Sequence, residues 1–109
     1  MQLLKDMVKF LGLKKRVELT IKTVPGEEED AYYLSIRSDR GRLVGHEIVI
    51  FTENTERSFE TLLAHELIHA WQEEKRYDEN HGPKFKDMAA KMEDEFNLID
   101  IYRSGVDLR

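Results

Sequence analysis

The residues His65-Glu66-Leu67-Ile68-His69 carry the most specific chemistry in this chain. Two imidazoles four positions apart share one helical face about a turn from each other, so both can reach a single cation. Glu66 sits on the same polar arc and is placed to take a proton from a water that the cation holds. A third histidine, His81, stands 12 positions after His69 and immediately ahead of Gly82-Pro83. Three nitrogen ligands leave the fourth position of a tetrahedral zinc open to water, the arrangement of a catalytic site rather than a structural one. The chain has no cysteine, which excludes disulfides, thiolate zinc fingers and cysteine nucleophiles together.

These side chains need a helix with a polar arc on a cleft. Phe59, Leu63, Leu67, Ala70 and Trp71, extended by Ala64 and Ile68, occupy most of the circumference, which predicts a helix buried on several sides. Asn54 or Thr55 is the expected cap, Glu56 and Glu60 suit the early turns, and the helix runs to about Arg76. The loop Tyr77 to Asn80 can fold His81 back over the first two ligands. Gly82-Pro83 then opens another helix with Phe85, Met88, Ala89, Met92 and Phe96 as its apolar stripe. Trp71 and the Met88/Met92 row read as core. Leu98 to Arg109 is open, with Leu98, Ile99 and Ile101 available to pack back.

Upstream, Met1 to Leu11 has the apolar spacing of a helix, and Gly12 stops it. Val17 to Val24 alternates as a half-buried strand. Pro25-Gly26 turns the chain, and Glu27 to Asp30 forms an acidic loop. Ala31 to Arg37 alternates through Tyr32, Leu34 and Ile36, a turn follows around Asp39 and Gly41, and Leu43 to Phe51 is a third strand. Its Ile48-Val49-Ile50-Phe51 end predicts burial on both faces. The expected architecture is α+β: a small three-stranded sheet packed on the long HExxH helix, with one helix at each end. The connections are too short for crossovers, which predicts an antiparallel sheet. The length of 109 residues suits one domain over 1–109.

The net charge is −5, yet the first 25 residues carry six basic side chains against two acidic ones. An acidic whole argues against avid non-specific binding to nucleic acid. Lys14, Lys15 and Arg16, with Arg37, Arg40 and Arg42, form a candidate local face for a DNA backbone; the simpler reading is solvated turns and helix ends. His46 and Tyr77 are candidates for stabilising an oxyanion. The simpler readings, a half-exposed strand residue and a cover over the helix end, are preferred for both. No apolar run approaches the roughly 20 residues that span a bilayer, and Met1 to Leu13 lacks signal-peptide character. The expectation is a cytoplasmic chain without membrane contact.

His65-Glu66-Leu67-Ile68-His69-Ala70-Trp71 followed by His81-Gly82-Pro83-Lys84-Phe85 resembles the SprT-like metalloprotease domain, the group that includes the Spartan proteases of DNA–protein crosslink repair. With the strand before the motif and Leu62-Leu63, the resemblance covers Gly41 to Glu93. It implies a minimal zincin-like fold, His65, His69 and His81 as Zn2+ ligands, and Glu66 as general base in the hydrolysis of peptide bonds, with DNA-associated proteins among the substrates. A substrate strand would pair with an exposed edge of the sheet. Many relatives carry a cysteine-rich zinc ribbon and long DNA-binding extensions. With no cysteine in its 109 residues, this chain is expected to lack both and to be little more than the catalytic domain. Two other readings stand beside this one: a non-enzymatic, zinc-stabilised binding module for DNA or a protein partner, and an HExxH regulatory peptidase of another family. Glu66 favours an enzyme, and the H-G-x-x-F element counts against the third reading.

Overall fold

The computed structural model describes residues 1–23, 30–51 and 58–102. The chain runs α1 (Gln2–Leu11), β1 (Arg16–Lys22), β2 (Ala31–Arg37), β3 (Leu43–Phe51), α2 (Phe59–Lys75) and α3 (Pro83–Phe96). This is the expected α+β order. Gly12 closes α1 in the left-handed conformation at φ 71°, where the missing Cβ removes the steric cost, and the amides of Gly12 and Leu13 return to Lys9 and Val8. Met7 and Leu11 on this helix are buried in the core.

The sheet corrects one expectation. Its strand order is β1-β3-β2, with β1 parallel and β2 antiparallel to β3, so it is mixed rather than all antiparallel. The short connections hold as predicted, because β2 and β3 form a hairpin through the Ser38–Arg42 turn. β1 and β2 are not neighbours, however. β1 and β2 flank β3 on opposite edges, two strand spacings or about 10 Å apart. β2 runs opposite to β3, and β1 runs with β3, so the first and third strands are parallel. The expected Pro25-Gly26 turn and most of the acidic loop lie outside the described residues.

The central strand is the one with the continuous apolar run: Ile48, Val49 and Ile50 are all buried, as predicted for burial on both faces, while Phe51 at its end is only half-buried. Ile48 and Ile50 face α2 in the core. The parity of β2 differs from the alternation expected through Tyr32, Leu34 and Ile36. Register pairs Ala31, Tyr33 and Ser35 with Ile50, Ile48 and His46, which places them on the helix side, and Leu34 is half exposed. That side of β2 borders polar groups and a cleft rather than closed core, so its inward residues are not its most apolar ones.

Ser58 caps α2, accepting the Thr61 amide at 3.1 Å. The cap thus falls later than Asn54 or Thr55, which lie outside the described residues. Every residue from Thr61 to Ala70 is buried, as is Gln72. The sheet, α1 and α3 cover the helix from different sides, which accounts for its all-round apolar sequence. Arg76 ends it in the left-handed conformation, and Pro83 begins α3 one position after Gly82. The segment after α3 packs back: Ile101 is fully buried, while Ile99 is exposed. Among the described residues no helix is long and apolar enough to cross a membrane.

Candidate metal centre

The helical spacing does what the sequence requires of it. His65 and His69 project from one face of α2, and the loop after that helix returns His81 to them. One ring nitrogen from each lies within 4.8 Å of the others, so this trio could hold a metal ion. His65 is fully buried, His69 nearly so and His81 half-buried.

Hydrogen bonds fix which nitrogen of each α2 imidazole faces the centre. His65 Nδ1 lies 2.7 Å from the carbonyl oxygen of Ile101. A carbonyl only accepts, so Nδ1 carries the proton and Nε2 the lone pair. Gln72 makes the same assignment for His69. Its Nε2 donates to the Glu79 carbonyl at 2.9 Å, which leaves its Oε1 to accept from His69 Nδ1 at 3.1 Å. Orienting bonds of this kind set the tautomer of metal-binding histidines.

One pair of donors has the spacing of zinc ligands. His65 Nε2 and His81 Nε2 are 3.3 Å apart. Zn–N bonds of about 2.0–2.1 Å at a tetrahedral angle put two ligand nitrogens roughly 3.3–3.4 Å apart. Phe85, from the first turn of α3, is fully buried against all three imidazoles, with centroid distances of 4.8 Å to His65, 4.9 Å to His69 and 5.0 Å to His81. It therefore acts as a common wall that limits the tilt of each ring. Glu66 is closed to bulk solvent yet borders a cleft of about 370 Å³, together with Tyr33, His69, Gln72 and Tyr77. A buried carboxylate costs several kcal/mol unless charge or hydrogen bonds offset it. A divalent cation beside it is one such offset.

A second polar chain runs behind the cleft. Tyr33 Oη lies 2.7 Å from His46 Nδ1, and His46 Nε2 lies 2.7 Å from Glu74 Oε2. Glu74 also accepts the backbone amides of Lys14 and Lys15, each at 2.9 Å. Burial opposes ionisation of Glu74, but the bonds from His46 and the two amides outweigh it and hold the carboxyl below its ordinary range. Burial, with Glu73 adding to it, raises the Tyr33 phenol above its usual range and keeps it neutral. His46 is thus fully buried and paired, not the half-exposed strand residue expected. Tyr77 packs its ring on Trp71 at 5.2 Å, in keeping with a cover over the helix end, while also bordering the cleft.

Of the expected basic face, Lys14, Lys15, Arg37, Arg40 and Arg42 line one groove, joined by Arg76. Arg16 turns to Glu18 at 2.8 Å and does not line it. Glu73 and Glu74 lie in the same groove, and Glu73 pairs with Arg37.

Tyr33, Gln72, Glu74 and the Ile101 carbonyl are the site groups that sequence reasoning missed. Gln72 lies three residues after His69, the spacing at which a side chain on α2 can reach it. That offset was the available signal for Gln72. Tyr33 and the Ile101 carbonyl come from distant parts of the chain, and Glu74, on α2 itself, joins the site through His46 of β3. The model of the SprT-like family matches residues 32–104, a span that holds both motif segments and the Ile101 carbonyl. No curated protein and no solved structure gives a significant match.

Proposed function

The chain belongs to the SprT-like family, and from that premise we propose that it is a zinc-dependent metallopeptidase acting as one domain over 1–109. The observation that carries this reading is the convergence of three imidazoles at a helix whose His69 and buried Glu66 line an open cleft. His65, His69 and His81 would hold the ion. Zinc, when bound, supplies Lewis acidity that lowers the pKa of a water and polarises a carbonyl.

The remaining work belongs to the chain's own residues. Glu66 accepts the proton of the attacking water and passes it to the leaving nitrogen as the C–N bond breaks. β2 is an edge strand, and Tyr32 and Tyr33 on it border the cleft. A substrate strand added along that edge gains backbone hydrogen bonds with little side-chain preference. The groove of Lys14, Lys15, Arg37, Arg40, Arg42 and Arg76 supports contact with a nucleic-acid backbone, and hence DNA-associated proteins as substrates.

The test is zinc content together with casein cleavage, with and without chelator and single-stranded DNA. The reading predicts one zinc per chain and chelator-sensitive cleavage. Undetectable metal in freshly purified, unchelated protein contradicts it. The module reading predicts bound zinc with no cleavage under any condition.

A further inference from the structure

Peptide hydrolysis needs a donor for the negative charge that builds on the carbonyl oxygen, and such donors are worth a large share of the rate. Most groups bordering the cleft are poorly suited. Glu73 and Asp78 are acceptors when ionised. Gln72 is committed to His69 and to the Glu79 carbonyl. Tyr32 belongs to the opposite face of β2, with its ring 6.1 Å from Phe51. Tyr33 differs in two respects. Its ring lies 6.4 Å from that of His69, and its hydroxyl is held by a buried imidazole that is itself held by a carboxylate.

We propose that Tyr33 is a catalytic residue, donating its hydroxyl proton in a hydrogen bond to the developing oxyanion, and that His46 and Glu74 position it. This rests on the metallopeptidase reading above.

The hydrogen-bond inventory permits two arrangements of the chain. Glu74 accepts from His46 Nε2–H in both. In one, His46 Nδ1 is an acceptor and the Tyr33 proton is used up on it. In the other, His46 has taken one more proton from solvent and is an imidazolium paired with the Glu74 carboxylate; its Nδ1–H then donates to the phenol oxygen, and the Tyr33 proton is left for the cleft. The second is the arrangement in the reacting complex. As the water oxygen bonds to the carbonyl carbon, the π electron pair moves onto the carbonyl oxygen and the water's proton goes to Glu66. Tyr33 keeps its own proton throughout and shares it with that oxygen. When the tetrahedral species collapses, the pair returns, the C–N bond breaks, and the leaving nitrogen takes the proton from Glu66.

A purely structural chain would be an expensive choice here. Apolar residues of similar volume commonly replace buried polar networks at no loss of stability. This network spans β2, β3 and α2, and it ends at the cleft that Glu66 borders.

The experiment compares wild type, Tyr33→Phe, His46→Gln and Glu66→Gln at matched zinc content. It measures kcat, KM and the calorimetric affinity for a phosphinic peptide, whose tetrahedral anion mimics the intermediate. Tyr33→Phe keeps the ring and is expected to lower kcat about 10²-fold with KM unchanged, and to weaken the phosphinic peptide by a similar factor. His46→Gln should show the same pattern to a smaller degree. Wild-type kcat and phosphinic-peptide affinity in Tyr33→Phe, with Glu66→Gln inactive, overturns this inference alone. Failure of wild type to cleave overturns the peptidase reading, and this inference with it.

Discussion

His65 donates from Nδ1 to the carbonyl oxygen of Ile101 at 2.7 Å, across 36 positions of sequence. The segment after α3 therefore sets the tautomer and tilt of the first histidine of the motif. Glu93 holds that segment, accepting the Ile101 amide at 3.0 Å. Glu93→Ala should release the carbonyl and weaken zinc about 10- to 100-fold, the usual cost of losing an orienting partner. Competition against a chromophoric chelator measures it. Unchanged affinity would detach the C-terminal segment from the site.

Gly82 bears on the second histidine by a different route. A Cβ there would lie 2.8 Å from Glu79 Cβ, a contact that only a backbone shift relieves. Glu79 supplies the carbonyl that orients Gln72, and Gln72 orients His69. Gly82→Ala should therefore lower zinc affinity by roughly the same factor as Gln72→Leu, about 10-fold or more. The double variant should fall well short of the two effects added, because both act through one chain of contacts.

Phe85 is the common wall of the three imidazoles. Phe85→Ala should cost about 3–5 kcal/mol of stability, the usual range for a buried Phe, and should loosen the metal as well. Phe85→Leu fills most of the space and should unfold later in denaturant while still binding zinc more weakly than wild type. Denaturation of the apo and zinc-loaded forms separates the two effects.

Much of this arrangement was legible in the sequence, and what was hidden has physical reasons. The five-residue motif, the third histidine and the all-round apolar helix are local patterns that a helical period converts directly into geometry. The burial of Ile48 to Ile50 was legible for the same reason, as an unbroken apolar run. Strand order was not, because local alternation says nothing about which strand inserts between two others. The inward face of β2 was misjudged because Tyr33 borders a polar cleft, and the more apolar Leu34 is the exposed one. The chain Tyr33–His46–Glu74 joins residues from three elements, and the Ile101 carbonyl has no side-chain signature at all.

Stability should respond to acid through Glu74. Its carboxyl is held below the ordinary range in the folded state, so the folded form binds that proton less readily than the unfolded form. The associated stability is present above the ordinary carboxylate range and is lost as pH falls through the lowered folded value. Melting temperature should therefore decline below pH of about 4.5. Glu74→Gln, which removes this titration, should melt lower near neutrality and show a shallower acid decline. An equally steep decline in the variant would assign the acid sensitivity to other carboxylates.

The central claim is that Glu66 acts on a water beside a metal held by His65, His69 and His81. The most direct measurement is the kcat of Glu66→Gln relative to wild type on one peptide, with zinc content determined for both. The account predicts full zinc occupancy in the variant and a loss of kcat of about 10²- to 10⁴-fold. Cleavage by Glu66→Gln at the wild-type rate, with zinc bound, would contradict it.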